Sequence, residues 1–256
     1  MKKLLNLTFL LMAVSFFLAS CNNNDKKSET TNADSTKMST TDSTANSTAG
    51  KDAVTTNPNL YKTLADSAGI RIVETTYKAG DSSTLHWHPD YGIYVVQGGK
   101  MSFYGKDGKK MELDMPSGMY LVKGGEWHSV KNTGTGDVKV ILFESNRTGQ
   151  MAAANNMDAT KVATGLYTTK ADSLGIRMVE VNYKPGQVSA MHSHPDAALY
   201  VLETGKAEFT SKDGSKQTLD LSKGMGVVVP AVTHTVKNVG TTTMKAILVE
   251  FSKAWK

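Results

Sequence analysis

The chain has 256 residues, of which 29 are Lys or Arg and 24 are Asp or Glu, for a formal charge of +5. The basic residues form no run and no stripe interleaved with aromatics, which argues against nucleic acid as a partner. Cys21 is the only cysteine, and one thiol excludes a disulfide framework.

Residues 1 to 20 read as an export signal. Lys2 and Lys3 precede an apolar stretch from Leu4 to Leu18, broken only by Asn6, Thr8 and Ser15. At about 15 residues it falls short of the roughly 20 that a membrane-spanning helix needs. It runs into Leu18-Ala19-Ser20-Cys21, which resembles the lipobox of bacterial lipoproteins. The resemblance implies that Cys21 is acylated and becomes the mature N-terminus, which would place the protein in a bacterial cell envelope, facing the periplasm or the surface. Loss of Lys2 and Lys3 with the signal leaves a charge of +3. From Cys21 to about residue 58 the chain is Ser, Thr, Asn, Asp, Lys and Ala with few apolar residues, the composition of a flexible tether.

The segment Leu60 to Glu144 aligns without a gap with Leu166 to Glu250, offset by 106, with roughly half the positions identical. Leu60-Tyr61 recurs as Leu166-Tyr167, and Lys106-Asp107-Gly108 as Lys212-Asp213-Gly214. This predicts two copies of one domain, residues 59–146 and 165–253, joined by a linker over 147–164. Each copy reads as eight short strands. In the first they are Ile70 to Tyr77, Thr84 to His88, Gly92 to Gln97, Lys100 to Tyr104, Lys109 to Asp114, Met119 to Val122, His128 to Asn132 and Lys139 to Glu144. The punctuation is Gly-rich, and Asp107-Gly108 is a hairpin signal. No segment after the signal has the apolar spacing of a long helix. The predicted class is therefore all-β, with two tandem jelly-roll barrels.

All six histidines fall into two matching sets, His86, His88 and His128, and His192, His194 and His234. Strand alternation sends His86 and His88 to one face and Trp87 to the other. If the strand carrying His128 lies alongside, a third imidazole completes a face that can hold a divalent ion and leave coordination positions open. Imidazole suits several transition metals. Iron or zinc is favoured here, and manganese, nickel and copper stay open. Ligation requires neutral rings, so metal binding is expected to weaken below roughly pH 6.

Gly80-x5-His86-x-His88, together with Gly118 and Gly125-Glu126-Trp127-His128-x3-Asn132, resembles the two motifs of the cupin superfamily. The second copy matches with Gly186, His192, His194, Gly224, Pro230, His234 and Asn238. The chain is similar to bicupins of the quercetin-dioxygenase-like kind. The resemblance implies a double-stranded β-helix with a metal inside each barrel, and two barrels that pair within one chain. It fixes no activity.

One departure matters. The glutamate that the family places three to five residues after the second histidine is absent; Tyr91, Gly92 and Ile93 stand there, and Ala197, Ala198 and Leu199 in the second copy. Asp90 and Asp196 are placed to cap turns, with a fourth-ligand role as the alternative. Glu144 and Glu250, and Glu74 and Glu180, are expected to face solvent or to support the histidines from behind. Trp87 and Trp127 are expected to pack together outside the first barrel, whereas Tyr91 is free to line its mouth. Candidates for acid–base chemistry are few: Tyr91, Asp90 and Glu126, the last replaced by Val232 in the second copy. Two readings follow: a metal-dependent enzyme, dioxygenase-like, acting on a small oxygen-chelating molecule, or a binding module without turnover. In both, the partners are a small molecule and, through the lipid, a membrane.

Overall fold

The computed structural model describes residues 51–153 and 155–255. The expected signal peptide at 1–20, the acylated Cys21 and the tether up to residue 50 lie outside the described residues. No helix among the described residues is long and apolar enough to cross a membrane.

The first barrel runs α1 (Ala53–Thr56), β1 (Tyr61–Ser67), β2 (Ile70–Tyr77), β3 (His86–His88), β4 (Asp90–Gln97), β5 (Gly99–Gly105), β6 (Lys110–Met115), β7 (Tyr120–Lys123), β8 (Glu126–Asn132) and β9 (Val138–Ser145). The second repeats it as α2 (Ala159–Val162), β10 (Tyr167–Ser173), β11 (Ile176–Tyr183), β12 (His192–His194), β13 (Ala197–Glu203), β14 (Gly205–Ser211), β15 (Lys216–Leu221), β16 (Gly226–Val229), β17 (Val232–Asn238) and β18 (Met244–Phe251). Each barrel is two antiparallel sheets. In the first they have strand orders β1-β2-β9-β4-β7 and β3-β8-β5-β6. Pro89 lies between β3 and β4, which belong to different sheets, so the proline sits where the chain leaves one ladder for the other. The Asp107-Gly108 signal marks the β5–β6 hairpin, where Gly108 has φ 76°, a region that a side chain disfavours.

The apolar run in β9 does not alternate because both faces of the strand are buried. Val138, Val140 and Leu142 point into the first barrel with Tyr61, Val73 and Val95. Ile141 and Phe143 point the other way, into a core shared with Ile176, Met178, Ile247, Val249 and Phe251 of the second barrel. β18 does the same in reverse, with Ala246 and Leu248 inside its own barrel. A continuous run is the pattern of a strand covered on both sides.

Three expectations need correction. Each barrel has nine strands, not eight. β1 went unread because Lys62, Thr63, Asp66 and Ser67 make it an exposed edge strand with a bulge between Thr63 and Ala65, which hides its alternation. The tether does not reach residue 58. Asp52 caps α1 by accepting from the Val54 and Thr55 amides, pairs with Arg71 and bridges to Trp87, and Asn57 is buried against β3. The segment 147–164 is likewise built in: Asp158 caps α2 and pairs with Arg177 at 2.7 Å. Each repeat therefore includes its capping aspartate, Asp52 or Asp158.

Candidate metal centres

β3 pairs with β8 in a register that sets His86 opposite His128, Trp87 opposite Trp127 and His88 opposite Glu126. One alternation thus decides both faces. The histidines go inward, at 0%, 1% and 6% exposure for His86, His88 and His128. The two tryptophans go outward and pack with ring centroids 5.7 Å apart, as expected. β12 and β17 copy the register, His192 opposite His234, with Ser193 and Thr233 hydrogen-bonded at 2.7 Å where the tryptophans stand in the first barrel. In each barrel one ring nitrogen from each of the three histidines lies within 4.8 Å of the others.

The rings are held from behind. His86 Nδ1 lies 2.7 Å from the Thr84 carbonyl, and His88 Nδ1 lies 2.6 Å from Glu144 Oε1. A carbonyl and an ion-paired carboxylate can only accept, so both Nδ1 atoms carry the proton and both Nε2 atoms present lone pairs. Those Nε2 atoms are 3.0 Å apart. Two acceptors that close repel unless a cation lies between them, and this is the first observation that suits a metal. The second comes from the other barrel, where Nε2 of His192 and Nε2 of His234 are buried with no partner. His192 Nδ1 meets the Ala190 carbonyl at 2.8 Å and His194 Nδ1 meets Glu250 at 2.7 Å. An orphaned buried nitrogen is costly, and here the donor set matches what a divalent transition ion takes.

Glu144 and Glu250 do support the histidines. Glu144 is 1% exposed, and Arg71 Nε donates to its second oxygen at 2.6 Å; Arg177 serves Glu250 at the same distance. Glu74 instead pairs with Lys139 at 2.8 Å, away from the cluster. Glu126 belongs to the site: Oε1 lies 3.2 Å from His128 Nδ1 and accepts from Tyr91 Oη and Lys123 Nζ, each at 2.5 Å. Burial pushes the Glu126 carboxyl up, but hydrogen bonds from His128, Lys123 and Tyr91 outweigh it and hold it at about 2. Burial and the neighbouring Glu126 charge drive the Tyr91 phenol well above its usual value, so it stays a donor.

One alternative and one expectation fail at this site. Asp90 is not a fourth ligand; it caps a turn, the one between β7 and β8, where Oδ1 accepts from the Gly125 amide at 3.1 Å while Oδ2 pairs with Lys253 at 2.8 Å. Asp196 likewise takes the Ala231 amide and Arg147. Tyr91 does not line the mouth. It is buried, with its ring stacked on His88 at 5.1 Å. Tyr61 was missed because its strand was missed; its hydroxyl lies 3.0 Å from His86 Nε2 and 2.6 Å from Tyr77 Oη. The recurrence of both tyrosines as Tyr167 and Tyr183, 3.0 Å apart, was the available signal.

The expected pH limit also moves. Burial, aided by the adjacent imidazoles, lowers His86 and His234 to about 3, and burial lowers His192 to about 4. Protons therefore compete less for these three rings than for a free imidazole, and acid release of the metal should begin lower than the unperturbed value suggests, which metal content after dialysis between pH 7 and 4 measures. The metal-free chain carries the cost. Above about pH 6.5 both folded and unfolded states hold these rings neutral. Below it only the unfolded state gains protons, and each ring withdraws up to about 1.4 kcal/mol per pH unit until its folded value is reached. Denaturation midpoints of the metal-free protein should fall steadily from pH 6.5 to 4, and a flat profile would contradict these environments.

The Cupin domain profile matches residues 73–144 and 179–250. A search of the curated proteins finds no match. Among solved structures, a variant of Bacillus subtilis oxalate decarboxylase is 16% identical with a TM-score of 0.54, covering 73% of this chain and 70% of that one. A structure of oxalate decarboxylase from a study of proton-coupled electron transfer is 17% identical at 0.52 over 73% and 70%. The Bacillus subtilis enzyme at pH 4.6 is 16% identical at 0.51 over 73% and 69%. At this identity the likeness speaks for the fold alone. With both matched segments ending on the glutamates that back His88 and His194, the chain belongs to the cupin family, as a bicupin with one Cupin domain in each half.

Proposed function

We propose that this bicupin holds a divalent transition ion in each barrel and takes a small, oxygen-chelating molecule there, while acylated Cys21 ties it to a membrane of a bacterial envelope. The observation that carries the reading is the 3.0 Å approach of two Nε2 lone pairs whose Nδ1 protons are already committed. A divalent ion held by the three imidazoles would supply Lewis acidity toward a chelating oxygen. The protein's own part is to orient the rings and exclude water. In the first barrel it also keeps an ionised carboxylate, Glu126, beside a protonated phenol, Tyr91. Ala197 and Val232 stand at the matching positions of the second barrel, so this pair distinguishes the two sites.

Elemental analysis of the purified, unsupplemented chain is expected to give up to two equivalents of one transition metal, falling by about half in His88→Ala or in His194→Ala. Absence of any transition metal would falsify the reading. Oxygen uptake and product analysis with oxalate, enols, thiols and flavonols then separate an enzyme from a binder. For the anchor, Cys21→Ser is expected to move the protein from the membrane fraction to the soluble one, since stable attachment rests on the acyl chains. Unchanged membrane partition of that variant would remove the lipid from the account.

A further inference from the structure

We propose that the two centres are unequal, and that Glu126 is the positioning residue that makes the first the tighter metal site. This rests on the metal-binding reading above. In the first barrel every ring has its Nδ1 tied: His86 to the Thr84 carbonyl, His88 to Glu144 and His128 to Glu126. All three imidazoles are thereby held in the tautomer that aims Nε2 at the cluster. In the second barrel two of the three ties recur, through Ala190 and Glu250. The third does not. Val232 stands where Glu126 stands, and among the described residues His234 Nδ1 makes no hydrogen bond. The ring can carry its proton on either nitrogen and turn about its last torsion. Binding an ion there must first select one tautomer and one orientation.

The residues that hold Glu126 have changed with it. Tyr91 and Lys123, its two other donors, are Ala197 and Val229 in the second copy. The whole support of the third histidine is therefore present in one barrel and missing from the other, on backbones with the same strand register. Lys123 offsets the charge of Glu126. The advantage of the first site is thus orientation of His128 rather than extra negative charge near the ion. Outer hydrogen-bond partners of metal-bound histidines are typically worth about 10–100-fold in affinity.

The test is a zinc titration of the full chain against a competing chromophoric chelator, with cobalt absorption as a second readout of each site. His86→Ala/His88→Ala leaves only the second site and His192→Ala/His194→Ala only the first, which assigns the constants. Wild type is expected to show two constants separated by about tenfold or more, the tighter belonging to the first barrel. Glu126→Val is expected to bring the first constant to the level of the second and leave the second unmoved. Glu126→Gln keeps an oxygen that can accept from His128 and is expected to retain most of the affinity, which a general packing defect would not allow. Two equal constants in wild type would overturn the proposal, as would equal losses in the Val and Gln variants. Failure of both sites to take zinc or cobalt is a different result: it removes the metal-binding reading itself, and this inference with it.

Discussion

Glu144→Ala is expected to cost about 3 kcal/mol of stability and to weaken metal binding in the first barrel by about 10–100-fold. The carboxylate is almost wholly buried and accepts a hydrogen bond from His88 Nδ1 on one oxygen and from Arg71 on the other. Removing it strands a buried imidazole N–H and half-strips a partly buried guanidinium. Arg71 keeps its pairing with Asp52, which sets the cost at the lower end of what a broken buried pair entails. Glu144→Gln preserves the shape and an acceptor oxygen and is expected to lose less of both. Urea denaturation, with metal titration of the His192→Ala/His194→Ala background, measures the two effects separately. If Glu144→Ala matches wild type in metal affinity, the glutamate is not what orients His88.

The second large effect is expected at the shared core. Phe143→Ala removes a fully buried ring from the layer between the barrels and should cost about 3–5 kcal/mol, the usual range for an aromatic core deletion. The six histidines face the barrel interiors and Phe143 faces away from them, so metal stoichiometry of the folded variant should stay at the wild-type value. A loss near 0.5 kcal/mol, as for a surface position, would mean that this layer does not hold the two barrels against each other.

Much of the site was legible because strand geometry is strict. His-x-His with a tryptophan between them has only one arrangement in a strand, and His128 needed only a neighbouring strand to join them. The roles of Glu144 and Glu250 were half legible: their repetition marked them, but their purpose depends on Arg71 and Arg177, which are paired to them only through β2 and β11. Asp90 was legible as a turn residue, but not the turn it serves, because its partners Gly125 and Lys253 lie far along the chain. The segment Asp52 to Asn57 was hidden by its polar composition, which continues the tether without a break. The recurrence of Asp52-Ala53 as Asp158-Ala159 was the clue that it belongs to the fold. Tyr61 was lost with its edge strand.

The aspartates that follow the second histidines tie the two halves together crosswise. Lys253, just past the last strand of the second barrel, reaches Asp90 in the first, and Arg147, at the equivalent point of the first, reaches Asp196 in the second. The other oxygen of each aspartate grips the backbone at the approach to the third histidine. The turn that leads to the third histidine of each barrel is thus fastened, through one aspartate, to a side chain that its twin supplies.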